Sequence, residues 1–141
     1  MIRTVTVLGA LLLGGLAAPV QAEPPGLTVD TLLETTTTIL DQPFTYPAGT
    51  AKITAAVLTV HPQGTVPPHE HPVPLFAYIL QGSITVVYEG VGPITYRAGD
   101  SFVEAFQWPH HAYNTGRGIV KILTVYAGAE GVPNSVSLPD D

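Results

Sequence analysis

His69 and His71, one residue apart, and His110, about 40 residues further along, are the side chains whose type and spacing best fit a chemical task. In an extended segment, residues i and i+2 project to the same side. His69-Glu70-His71 therefore aims two imidazoles at one point, while Glu70 faces the opposite side as a solvated residue. Pro67, Pro68 and Pro72 stiffen the segment and lower the entropy cost of holding the rings in place. His110 follows four strand-like segments after His71, enough chain to return to the same end of a barrel. Neutral imidazole is the commonest protein ligand for first-row transition metals. The three histidines are accordingly expected to hold one divalent transition metal: iron, zinc, nickel, manganese or copper. The spacing does not choose among these. Taken alone, the His-x-His pair fits two surface histidines as well.

Other residues cluster around this triad. Glu104 lies six residues before His110. A carboxylate there orients a histidine, acts as a general base, replaces a metal ligand, or points out of the barrel. Gln107 borders His110 and is a second catalytic candidate. His111 is a fourth ligand or a substrate contact unless, as the second of a pair, it points away. Trp108 and Tyr113 flank His110 and, with Tyr78, are candidates for the pocket lining; their alternative is the barrel core. His61 precedes a proline at a strand end and reads as a turn residue.

The elements that must position these side chains are short and extended. Lys52–Val60, Leu75–Gln81, Ser83–Tyr88, Ile94–Arg97, Ser101–Ala105 and Ile119–Ala127 read as strands, separated by Gly and Pro signals. The β-branched run Thr35–Thr38, leading into Ile39-Leu40, also favours a strand. With 14 Pro and 14 Gly in the chain, long helices are not expected. The pattern predicts an all-β sandwich or barrel in one domain. Residues 23–49 form an arm and first strand, 50–127 the barrel, and 128–141 a tail lying on it.

The chain has 141 residues and opens with Arg3, an apolar run from Val5 to Ala18, and Val20-Gln21-Ala22. That layout predicts a secretory signal peptide, residues 1–22, cleaved near Ala22, and hence a periplasmic or secreted protein. The run is shorter than the roughly 20 apolar residues a spanning helix needs. Cleavage removes only Arg3 among charged residues, so the net charge moves from −6 to −7. An acidic chain with no basic cluster is a poor partner for nucleic acid or, once cleaved, for an anionic membrane. The absence of cysteine excludes thiol catalysis, zinc–thiolate sites and iron–sulfur clusters.

The spacing resembles the two motifs of the cupin superfamily. The first is carried by Gly64, His69, His71 and Gly82, and the second by Gly99, His110 and Asn114. Ala77–Gly82 and Tyr96–Ser101 resemble the family's flanking strands, and the likeness covers roughly residues 50–127. It implies an antiparallel double-stranded β-helix, a jelly-roll barrel, with the metal in its mouth. Three departures stand out. The gap from Gly64 to His69 is one residue shorter than usual. The family's Pro and Gly in the second motif are Ala105 and Gln107. Its metal-binding Glu falls on Leu75, or on Phe76 by the longer spacing, and neither can bind a metal. Three neutral histidines would leave a divalent ion its full charge and favour anionic, chelating substrates. The resemblance implies a metal-dependent enzyme, dioxygenase-like or isomerase-like, acting on a small polar or carboxylated compound. The alternative is a non-catalytic module that captures a metal or a small ligand. It also implies pairing into homodimers through edge strands.

Overall fold

The computed structural model describes residues 25–139, so the proposed signal peptide lies outside the described residues. The strands all fall in the compact unit Thr31–Asp141. Among the described residues nine are formed: β1 Ala51–Val60, β2 Thr65–Glu70, β3 Leu75–Gln81, β4 Ser83–Tyr88, β5 Gly92–Arg97, β6 Ser101–Val103, β7 His110–Tyr113, β8 Val120–Ala129 and β9 Val136–Ser137. They make two antiparallel sheets, ordered β1-β8-β3-β6 and β5-β4-β7-β2-β9. This is the all-β jelly roll implied by the sequence, and no described residue is helical.

The alternation of side chains explains the packing. Inward residues of β3, β4, β6 and β8, among them Ile79, Ile84, Phe102 and Val120, fill the space between the sheets. Tyr96 stacks on Phe102 with ring centroids 3.8 Å apart. Gly82, at φ 78°, makes the tight β3–β4 link; a Cβ there would sit 2.7 Å from the Ile119 carbonyl oxygen. Asn114, buried, ties the β1–β2 and β7–β8 connections together. Its Nδ2 donates to the carbonyls of Val60, His61 and Gly118, and its Oδ1 accepts from the Gly116 amide.

The run Thr35–Leu40 departs from expectation. It forms no strand, only an isolated bridge from Thr37 to Pro43 around a turn with Asp41 at φ 57°. The Thr38 hydroxyl competes for the backbone by accepting from the Leu40 and Gln42 amides. The arm instead lies along β6. Ile39 donates its amide to the Val103 carbonyl, and Ser101 Oγ donates to the Leu32 carbonyl. It thereby covers one sheet edge.

Candidate metal centre

His69 and His71 lie on and just after β2, and His110 opens the neighbouring strand β7. Simple alternation does not bring them together. Val66 pairs with Ala112 and faces the cavity, and strict alternation from there would turn His69 and His71 outward. The register slips by one residue between Val66 and His69, where Pro67-Pro68 interrupts the ladder. This bulge reverses the phase, so that His69 lies opposite His110 and both face inward. Two prolines can donate no ladder hydrogen bonds, which is why the slip falls there.

The three rings converge. Their centroids are 4.4 Å (His69–His110), 4.8 Å (His69–His71) and 5.1 Å (His71–His110) apart. One ligand nitrogen from each lies within 4.8 Å of the others. Each Nδ1 meets a backbone carbonyl: Pro67 at 2.8 Å for His69, Asn134 at 2.9 Å for His71, and Trp108 at 2.8 Å for His110. A carbonyl can only accept, so each Nδ1 carries the hydrogen and each Nε2 keeps its lone pair. Burial pushes all three pKa values below 6.5, that of His71 down to about 3, and keeps the rings neutral.

Glu104 faces the same cavity. It continues the inward phase of Phe102, and its amide donates to the Leu75 carbonyl across the ladder, at 2.8 Å. The carboxylate thus stands on the strand neighbouring Leu75, the position where the resemblance leads one to look for a glutamate. Glu104 Oε1 accepts from the Tyr88 hydroxyl at 2.6 Å and from the Ala105 amide at 2.9 Å. Oε2 lies 4.0 Å from His110 Nε2. Burial raises the Glu104 pKa, while the two hydrogen bonds oppose the rise. Tyr88 in turn contacts the Tyr96 hydroxyl at 2.9 Å, and burial holds both phenols above their usual 10.

A buried carboxylate beside three neutral imidazoles, with no Lys or Arg lining the cavity among the described residues, suits a cation. Imidazole nitrogen with carboxylate oxygen is a donor set for first-row transition metals. The residues therefore fit the divalent ion expected from the sequence. Beside the three neutral histidines of that expectation the structure sets a fourth group, the carboxyl of Glu104, which faces into the site and not out of the barrel.

The other candidates are placed differently. Tyr78 pairs with Leu123 on the outward face of its sheet, alternating with the inward Ala77 and Ile79. His111 and Tyr113 alternate with the inward His110 and Ala112, so neither lines the metal cavity; His111 borders a separate groove on the outside of its sheet. Trp108 is 37 % exposed, and its Nε1 donates to the Glu89 carbonyl. Its contribution to the site is its own carbonyl, which holds His110. Gln107 is exposed and its side chain stays outside the cavity. Its backbone matters: at φ 49° it occupies the left-handed region that favours glycine, and its amide donates to the His71 carbonyl.

Further site residues carry no motif. Leu58, Ile84, Val86, Phe102 and Ile122 form apolar walls of a cavity of about 310 Å³, to which Tyr126, Ser135 and Ser137 bring hydroxyls. Tyr88 and Tyr96 could have been suspected from their inward phase on β4 and β5. Nothing in the sequence around Asn134 marks its carbonyl as the partner of His71.

Comparison with known proteins places this geometry. No curated protein sequence matches the chain. Among solved structures, an oxalate decarboxylase from Lactobacillus farciminis in complex with formate is 25 % identical, with a TM-score of 0.54. The alignment covers 61 % of this chain and 26 % of that one. A Bacillus subtilis oxalate decarboxylase with Mn(II) centres matches at 25 % identity and a TM-score of 0.52, over 61 % of this chain and 24 % of its own. The chain therefore spans about a quarter of the decarboxylases it matches. The polyketide cyclase RemF of Streptomyces resistomycificus, at 20 % identity and a TM-score of 0.54, shares the fold over 63 % of this chain and 62 % of that one. The Cupin domain family matches residues 56–126, half of the chain, from the middle of β1 to Tyr126 beside the histidines. With the jelly roll and both histidine motifs in place, this chain belongs to the cupin family.

Proposed function

We propose that this chain is a metal-dependent cupin enzyme in which His69, His71 and His110 hold a divalent transition metal and Glu104 handles a proton of a small molecule bound beside it. The observation that carries the proposal is the inward carboxyl of Glu104, facing three imidazoles whose Nδ1 atoms are all committed elsewhere. A divalent ion bound there supplies Lewis acidity toward an oxygen of the ligand. The protein's own residues do the rest. Tyr88 and the Ala105 amide fix Oε1, so Oε2 is the oxygen free to take and return a proton. The apolar walls exclude water and strengthen each polar contact inside. A dioxygenase-like or isomerase-like reaction on a small hydroxylated or carboxylated compound suits this equipment. A capture module has no use for a buried acid–base group, which favours the enzyme over the non-catalytic alternative.

Export and pairing belong to the same proposal. The apolar run 5–18 ahead of Ala22 supports a cleaved signal peptide and a periplasmic or secreted protein. The edge strand β1 supports a homodimer. Ile53, Ala55 and Val57 on its outward face are all exposed, and this pattern is symmetric about Ala55. A two-fold axis through Ala55 would set Ile53 of one copy against Val57 of the other.

Metal content of untagged protein, measured by mass spectrometry beside His69→Ala and His110→Ala, tests the centre. Near-stoichiometric metal in the wild type, lost in both variants, is the expected result. A folded wild type that stays metal-free after reconstitution overturns it.

A further inference from the structure

Beyond β6 the chain crosses from one sheet to the other, and this crossing carries part of the site. Glu104 stands in it, and Phe106 pairs with His71 in an isolated parallel bridge. One set of ties joins the crossing to β3 and to the ligand. The Glu104 amide donates to the Leu75 carbonyl at 2.8 Å, and the Gln107 amide to the His71 carbonyl at 2.9 Å. The crossing then turns at Gln107, whose φ of 49° is one that a non-glycine residue keeps only where its surroundings hold it.

The N-terminal arm supplies a second set of ties, on both sides of Glu104. Before it, Ile39 donates its amide to the Val103 carbonyl at 2.8 Å. After it, Gln42 Oε1 accepts from the Phe106 amide and Gln42 Nε2 donates to the Phe106 carbonyl, both at 3.2 Å. A side-chain amide offers both an acceptor and donors, so Gln42 meets the two polar groups of Phe106 as a neighbouring strand would. Gln42 is itself held in place. The buried Thr38 hydroxyl donates to its Oε1 at 3.1 Å, and the Thr38 amide donates to its carbonyl at 2.9 Å. We infer that Gln42 is a positioning residue of the metal centre, which fixes Phe106 and through it the crossing that places the Glu104 carboxyl and holds the His71 backbone. The arm is then part of the centre as well as a cover for the sheet edge. This role rests on the metal reading above and extends it to residues far from the histidine motifs.

A merely structural arm would act through any of its tethers, and the arm has another. Ser101 Oγ donates to the Leu32 carbonyl at 2.6 Å, at the start of β6 and away from the crossing. The test therefore compares the full chain with Gln42→Met, which keeps the side-chain length and removes the amide, and with Ser101→Ala. Melting curves confirm that each variant folds. Zinc affinity is read by competition with a chromophoric chelator, and ligand geometry by the visible bands of the cobalt-loaded protein. Hydrogen exchange of the Gln107 amide is followed on metal-free protein. Gln42→Met should bind zinc roughly tenfold more weakly, at the low end of the penalty for losing an outer partner of a metal ligand. It should also shift the cobalt bands and speed Gln107 exchange at least tenfold. Ser101→Ala should move none of the three. Gln42→Glu keeps an acceptor for the Phe106 amide but offers the carbonyl no hydrogen. It should lose less affinity than Gln42→Met, and it carries the comparison if Gln42→Met does not fold. Wild-type zinc affinity and cobalt bands in the folded Gln42 variants overturn the inference alone, as does an equal loss in Ser101→Ala. A wild type that retains neither zinc nor cobalt overturns the metal reading and the inference with it.

Discussion

Replacing Glu104 by Gln keeps an oxygen for Tyr88 and Ala105 to bond while removing a buried charge. Because burial raises the Glu104 pKa above the usual 4.5, the fold favours its protonated form. Its contribution to metal-free stability is full below that usual value and is lost as pH rises through the raised one. Glu104→Gln should therefore raise the melting temperature of the metal-free protein at pH 7, by about 4 °C for each kcal/mol relieved. It should leave the melting temperature near pH 4 unchanged. The same variant should weaken metal binding at least tenfold by calorimetry. The histidines act in the opposite sense. Their pKa values are depressed below 6.5, with His71 at about 3, so the unfolded chain takes up protons that the fold refuses. Metal-free stability should fall as pH drops from about 6.5 toward 3, and bound metal should be released in the same window as protons compete for Nε2. Melting curves and metal retention across pH 7 to 4 check both signs. In Glu104→Gln, where the opposing carboxyl is gone, a melting temperature that rises on acidification through this window would contradict the neutral, buried rings.

At the scale of elements, the centre depends on two pieces that lie outside regular strand pattern. The Pro67-Pro68 bulge sets the phase that turns His69 and His71 inward. The segment Asn134–Leu138 straps the cavity. Its β9 pairs with β2 opposite His69, Leu138 donates its amide to the Pro68 carbonyl, and the Asn134 carbonyl holds His71. Ending the chain after Pro133 should cost 10- to 100-fold in metal affinity, the usual penalty for losing the partner of a metal-ligating histidine. The far-ultraviolet strand signal should remain, since β9 has only two residues. Asn134→Ala should leave affinity unchanged, because the backbone carbonyl is the acceptor. These two elements also mark where the sequence stops being readable. Strands such as Leu75–Gln81 and Ser83–Tyr88 announce themselves by composition and bounding glycine. The histidine triad is legible because ligands must converge. The phase of a bulge depends on the strand opposite, and the strap has neither periodicity nor a motif. The outward placement of Tyr78, His111 and Tyr113 follows from alternation once the register is known. Flanking a ligand in sequence places a residue on the other face of the strand.

At the scale of the whole molecule, the outward face of β1 in the sheet β1-β8-β3-β6 carries apolar side chains that no described residue covers. Ile53 is 67 % and Val57 54 % exposed at its open edge. Light scattering coupled to gel filtration should show a dimer, and Val57→Lys should shift it to the monomer without changing metal content. A monomeric wild type at micromolar concentration would remove β1 as the pairing surface. The far edge of the same sheet, beside β6, is closed by the N-terminal arm, so pairing through β1 would finish at two copies rather than run on. The strap sets a different limit, one of time. His71 is held by a carbonyl 63 positions later, and every strand of the barrel except β9 is synthesised before that carbonyl. A growing chain carries all three histidines well before it carries Asn134. The carbonyl that fixes the ring of His71 is thus among the last parts of the site to be made, and a chain clipped before Asn134 would carry all three histidines with one of them unheld.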